Sequence, residues 1–105
     1  MKGLRLHASF IALWDEFATE DAHVLQILEN AGAVFHARTT QPQTMMHLET
    51  SSNLYGTTVN PYNSDLSSGG SSGGEGSLGA LGGSILGLGS DVGGKSQRSY
   101  KRHHR

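Results

Sequence analysis

A chain of 105 residues in which 35% of the side chains are hydrophobic has room for one small domain with a thin core, because globular domains are roughly 45–50% apolar. The absence of cysteine excludes disulfides and thiolate metal sites. The net charge of −1 conceals a division: in residues 1–94 Lys2, Arg5 and Arg38 stand against all nine acids, whereas residues 95–105 carry five basic side chains and no acid. Such a tail can attract nucleic acid, but it has no aromatic interleaving beyond Tyr100. It reads as a solvated terminus, and no nucleic-acid partner is expected.

Met1 to Ala18 has no clean period and is expected to be irregular or weakly extended. Its apolar run, Ala8 to Trp14, is too short to cross a bilayer, where about 20 residues are needed. No cleavage pattern follows it, so no membrane partner is expected and the location is read as cytoplasmic. Thr19 is the expected N-cap of a helix, with Glu20 and Asp21 in the first turn, where carboxylates favour the helix dipole. Val24, Leu25, Ile27, Leu28 and Ala31 then fall on one face at helical spacing. Gly32 sits where a left-handed residue ends a helix. Residues 33–37 (AVFHA) read as a short buried strand. His23 and His36 lack a partner ligand at helical spacing, so no metal is expected.

Residues 39–68 hold both prolines and many Thr, Asn and Ser. They read as a long polar connection, of the kind that is functional or disordered. Asn60-Pro61 marks a turn within it. Met45 and Met46 read as gap-filling apolar side chains, with a pocket lining as the alternative.

Residues 69–94 (GGSSGGEGSLGALGGSILGLGSDVGG) hold twelve of the fifteen glycines. The run reads as a tight serine-bearing loop, a helix over 75–81, a strand over 84–89 and a second glycine loop. Repetition of helix, glycine and strand gives an α/β layer architecture, with two helix–strand units and a long loop. Residues 89–96 fit G-x-x-x-x-G-K-[ST], in which loop amides and a lysine would hold phosphates. The context opposes that reading, because such a loop must open a helix and a later strand must supply a metal-binding carboxylate. No acid follows Ser96.

The segments 19–50, LYGTTVNPYN, GGSSGGEG and LGLGSDVGG, which together span residues 19–94, resemble the amidase signature family, most nearly its acetamidase and general amidase branch and more distantly fatty acid amide hydrolase. The resemblance implies an α/β fold with a mixed sheet flanked by helices. It implies hydrolysis of a small carboxamide through a Ser–cis-Ser–Lys triad and an acyl-enzyme, without metal or organic cofactor. It matches Ser71 to the bridging serine that follows a cis peptide and Ser72 to its supporting neighbour. Val92, Gly93 and Gly94 match the oxyanion amides, and Met45 matches a residue lining the acyl pocket.

Two departures stand beside these matches. Lys95 occupies the position of the nucleophilic serine, leaving Ser96 as a displaced nucleophile candidate. Lys2-Gly3 resembles a pair that the family's catalytic lysine precedes by several residues, so no residue here matches that lysine. The chain therefore divides into a partial amidase signature domain, 1–94, and a basic tail, 95–105, unlike the family. Gly-Lys-Ser can be encoded GGU-AAG-UCN, which contains the intron-start consensus GUAAGU. Read-through of an unspliced intron is the expected origin of the tail, and a one-residue insertion is its rival. The chain by itself is expected to be inactive. The alternatives are a non-catalytic interaction fragment and a phosphate-loop nucleotide binder through residues 89–96. Oligomeric state is left open.

Overall fold

The computed structural model describes residues 1–90. Its architecture is mixed α/β, as expected: two helices, α1 (His23–Asn30) and α2 (Gly73–Ala80), and two small antiparallel strand pairs. The strands lie elsewhere than the periodicity suggested. β1 (Ser51–Ser52) pairs with β2 (Gly56–Thr57), and β3 (Val59–Asn60) pairs with β4 (Asn63–Ser67). All four belong to the segment read as a long polar connection. Its ladders are short and partly closed by side-chain hydroxyls, as where Ser51 and Thr57 meet at 2.9 Å, so no apolar alternation announces them. The Asn60-Pro61 turn is present. It forms the tip of the β3–β4 hairpin, where the Tyr62 amide donates to Asn60 Oδ1 at 2.9 Å, an Asx turn that mimics a backbone bend.

Residues 33–37 and 84–89 are not strands. A strand is defined by its neighbour, and no described segment pairs with either run. Both runs are apolar, but a strand needs a pairing neighbour, and residues 33–37 are not the buried strand expected: Val34 is 85% exposed.

The first eighteen residues form a closed loop. Gly3 donates to the Ala18 carbonyl at 2.8 Å, Leu6 to Glu16 at 2.8 Å and Ala18 to Leu4 at 2.9 Å, around an isolated Arg5–Phe17 bridge. Inside it the Arg5 guanidinium lies 4.1 Å from the Trp14 ring centroid, a cation–π contact, and His7 stacks on Trp14. The Ser9 amide donates to His7 Nδ1 at 3.0 Å. In the neutral ring the proton is therefore on Nε2, which donates to the Tyr55 hydroxyl 3.0 Å away.

This closure moves the start of α1. The expected cap, Thr19, is not used. The helix begins at His23 with Ala22 as its N-cap and no acid in its first turn. Asp21 is already occupied, because its carboxylate accepts the Lys2 amide at 2.6 Å and its carbonyl accepts Gln26 Nε2 at 2.9 Å. The C-terminal reading holds. Gly32 has φ +90°, its amide donates to Glu29, and the Ala33 amide donates to Leu28, which is the Schellman pairing.

No large aliphatic or aromatic side chain is buried among the described residues, and the largest fully buried side chains are Thr50 and Pro42. Met45 and Met46 do not fill a core: they are 39% and 76% exposed. Order is concentrated instead in a polar nucleus around the start of α2.

Candidate functional site

Glycine runs do not hold a shape by themselves, because each glycine gives up more backbone freedom on ordering than any other residue. The loop 69–73 is held from outside, by Thr50. Its side chain is 1% exposed. Thr50 Oγ1 is 2.9 Å from the Gly69 carbonyl and 3.2 Å from the Ser71 carbonyl, and it accepts the Gly73 amide at 2.8 Å. A hydroxyl has one proton, so the two carbonyls share it. The Gly73 amide is one of the unpaired donors that open a helix. Thr50 caps α2 across more than twenty residues of sequence, and Ser72, the formal N-cap, makes no side-chain cap. This distant cap starts the helix at Gly73, two residues before the expected Glu75.

The seat is tight. A Cβ on Gly73 would lie 2.8 Å from Thr50 Cβ and closer still to the hydroxyls of Ser68 and Thr50. A Cβ on Gly74 would meet the Thr40 amide nitrogen at 2.6 Å, and one on Gly70 would meet the His47 carbonyl oxygen at 2.8 Å. Gly70 and Gly74 therefore let backbone lie against backbone, and Gly73 makes room for the side chains of Thr50 and Ser68. Further hydroxyls complete the nucleus. Thr39 donates to Glu75 Oε1 at 2.9 Å, Thr40 and Thr58 meet at 2.7 Å, and Ser68 donates to the Thr58 carbonyl at 2.9 Å. Glu49 accepts from Ser67. No buried side-chain polar atom among the described residues lacks a partner.

Within this frame the Gly70–Ser71 peptide is cis, and Ser71 is half-buried. Ser72 Oγ accepts the Ser90 amide at 3.0 Å, and a Cβ on Gly89 would lie 3.6 Å from Ser72 Oγ. The two glycine loops thus meet at Ser72 and Ser90. Met45 lies on the turn Gln43–Met45, which leads into the 47–49 segment against which Gly70 packs. Thr44 and Met45 have φ of 68° and 55°, a left-handed pair rare outside glycine. The remaining site residues, Val92, Gly93, Gly94, Lys95 and Ser96, lie outside the described residues, as does most of the 89–96 phosphate-loop motif.

Sequence reasoning did not find Thr50, Ser90 or the Thr39–Thr40–Thr58 hydroxyls. A threonine in a polar stretch carries no local mark of a bond to a loop about twenty residues away. The signal available was indirect: a glycine run without apolar anchors needs outside hydrogen bonds. Among the described residues no group of three His, Asp or Glu side chains is placed to hold a metal. No helix among them is long and apolar enough to cross a membrane.

A second feature lies beside the loop. An open cavity of about 730 Å³, a trough beside α1, is lined by residues of α1, residues 33–39, residues of α2 and residues 82–88. Leu25, Leu28 and Leu78 line it, with Val34 and Ile85 among its other lining residues.

Comparison with known proteins relates the chain to much longer ones. The family model described as Amidase matches residues 1–98. A putative amidase of Schizosaccharomyces pombe is 56% identical over 87 residues, which is 83% of this chain and 16% of that protein. An acetamidase of Emericella nidulans is 42% identical over 94 residues, 90% of this chain and 17% of that protein. The solved structure of a fatty acid amide hydrolase superposes with a TM-score of 0.86 at 45% identity, again over 90% of this chain and 17% of that one. The chain spans about a sixth of the length of these relatives.

Proposed function

We propose, on the premise that this chain belongs to the amidase family, that it carries the bridging-serine loop of a carboxamide hydrolase and does not turn over substrate by itself. The observation that supports this most directly is the loop geometry. A cis Gly70–Ser71 peptide is held by Thr50 on one side, and the second glycine loop is joined to it through Ser72 and Ser90. Such a loop fixes the backbone that carries Ser71, and positioning of this kind supplies much of the rate in acyl transfer.

In the proposed chemistry, Ser71 passes a proton between a lysine and a nucleophilic serine. The serine oxygen adds to the carboxamide carbon, and the amides of Val92, Gly93 and Gly94 receive the developing oxyanion, where one donor is worth about 10²–10³ in rate. The C–N bond breaks as the nitrogen takes the relayed proton and leaves as ammonia or an amine. Water then adds to the acyl-serine and releases the acid. Lys95 stands at the nucleophile position in this chain, so no acyl-serine forms there. Carboxamides as small as acetamide are the substrate class that the acetamidase relatives support.

The test is ammonia release from acetamide by the 105-residue chain and its Ser71→Ala variant. No release from either is expected. Release that survives Ser71→Ala overturns the assignment of the site, and binding of a nucleotide with Mg²⁺ revives the phosphate-loop reading. A second reading, a non-catalytic interaction fragment, is favoured by one observation, the lack of any buried large aliphatic or aromatic side chain among the described residues.

A further inference from the structure

The closed loop of residues 1–18 turns at Ala8 and Ser9, whose φ values are 44° and 64°. Residues other than glycine keep such a left-handed pair only where their surroundings impose it. The Phe10 amide closes the bend on the His7 carbonyl at 2.7 Å. The Ser9 amide donates to His7 Nδ1 at 3.0 Å and makes no other hydrogen bond among the described residues. Ser9 is 2% exposed, and its hydroxyl donates to the Gln41 carbonyl at 2.5 Å, so the bend seats the loop on the segment that leads to the turn Gln43–Met45. The far side of the His7 ring reaches the β1–β2 hairpin, with Nε2 3.0 Å from the Tyr55 hydroxyl, and its face stacks on Trp14 with ring centroids 5.4 Å apart. One imidazole thus joins the bend, the indole and the hairpin.

The contact to Ser9 exists in one protonation state only. With its proton on Nε2, neutral imidazole offers a lone pair on Nδ1; in imidazolium both nitrogens carry protons and neither accepts. Protonation therefore sets the Nδ1 proton against the Ser9 N–H across 3.0 Å, and one of the two must turn away. The Tyr55 contact survives, because a phenol oxygen accepts from Nε2 in either state. The titratable and charged groups around the ring are Tyr55 on the hairpin, Arg5 at 4.1 Å from the same Trp14 ring, and Arg38, which reaches the Arg5 carbonyl at 2.9 Å. Two of these are cations, and His7 makes no ion pair with an acid among the described residues, so nothing there receives the new proton in place of Ser9. Histidine is the side chain whose charge changes within the physiological range. We propose that His7 is a proton-operated latch. Neutral, it holds the Ala8–Ser9 bend and keeps the loop 1–18 on Gln41; protonated, it releases Ser9 while staying on Tyr55. The latch is closed at neutral pH and opens as the pH falls, and it does not require Ser71 to react.

The experiment follows the 105-residue chain by NMR between about pH 8 and about pH 5, across the imidazole range. The His7 ring signal reports its own proton, and the Ser9 amide reports the bend. Protection at Ser9, corrected for the intrinsic pH dependence of exchange, is expected to fall at least about 10-fold as His7 becomes charged. The emission of Trp14, the only tryptophan, should change over the same interval. His7→Asn supplies a side-chain oxygen that accepts the amide two residues on, as in an Asx turn, and carries no titrating group; it should keep Ser9 protected throughout. His7→Leu removes the acceptor and should leave Ser9 unprotected even at the higher pH. Protection of the Gly73 amide, which donates to Thr50, should not follow His7 in any of these chains, and this separates the latch from general unfolding in acid. A Ser9 amide unprotected in the unsubstituted chain at the higher pH, one that stays protected after His7 is charged, an acid-induced loss that persists in His7→Asn, full protection in His7→Leu, or loss at Gly73 in step with Ser9 would each overturn the latch.

Discussion

The nucleus around Thr50 and the trough beside α1 meet at Thr39 and Glu75, yet they are held in opposite ways. In the nucleus, hydroxyls of Thr50, Ser68 and Ser72 bond to backbone groups, several of them in the glycine loops. In the trough, Val34, Ile85 and their amides bond to nothing among the described residues. The geometry of the loop is thus set locally by polar contacts. The hydrophobic contribution that stabilises a domain is left to surfaces that this chain does not cover. Local hydrogen bonds are worth about 0.5–1.5 kcal/mol each. Ordering one residue costs about 1–2 kcal/mol, so the nucleus alone does not carry the chain.

The largest effect follows from that imbalance. The isolated chain is expected to melt without a sharp thermal transition and to aggregate through its open edges. A cooperative transition in calorimetry at monomer size would break the contrast. Within the chain, Gly73→Ala is expected to be the most damaging single change, since overpacking costs about 1–3 kcal/mol or more and the new Cβ meets Thr50 Cβ at 2.8 Å. Loss of exchange protection at the Thr58 amide, which donates to Thr50 at 2.8 Å, reads it out. Thr50→Val keeps the volume and removes the shared hydroxyl. Buried groups left unpaired cost about 1–3 kcal/mol each, so the Gly73 amide should exchange at least about 10-fold faster, with recovery in Thr50→Ser. Ser72→Ala removes the bond to the Ser90 amide and should cost about 1 kcal/mol, seen as faster exchange at Ser90 alone. At the other end of the scale, Ile85→Ser in the free chain should change local protection by less than about 0.5 kcal/mol, because an exposed side chain there has no contacts to lose. A large effect would mean that the trough is already filled.

How much of this was legible in the sequence follows the same division. The Gly32 helix end, the Asn60-Pro61 turn and the serine-bearing glycine loop were readable because each is decided within a few residues. The family was readable from GGSSGGEG and GSDVGG together, and the match over residues 1–98 establishes it. The strand assignments at 33–37 and 84–89 failed for a physical reason. Apolar runs state what a segment needs, not whether the partner is there. The start of α1 was misplaced because Asp21 is engaged by the Lys2 amide, a contact nineteen residues long that no window sees. Thr50 went unnoticed for the same reason.

The Thr50 hydroxyl has a consequence for anyone exchanging parts between relatives. The bend that carries Ser71 is shaped by a side chain from the preceding hairpin segment, so a graft of residues 69–90 alone would arrive without its mould. A chimera joined upstream of Thr50 should inherit the loop intact. One joined between Thr58 and Gly69 should inherit it only where the recipient offers a hydroxyl at the same place.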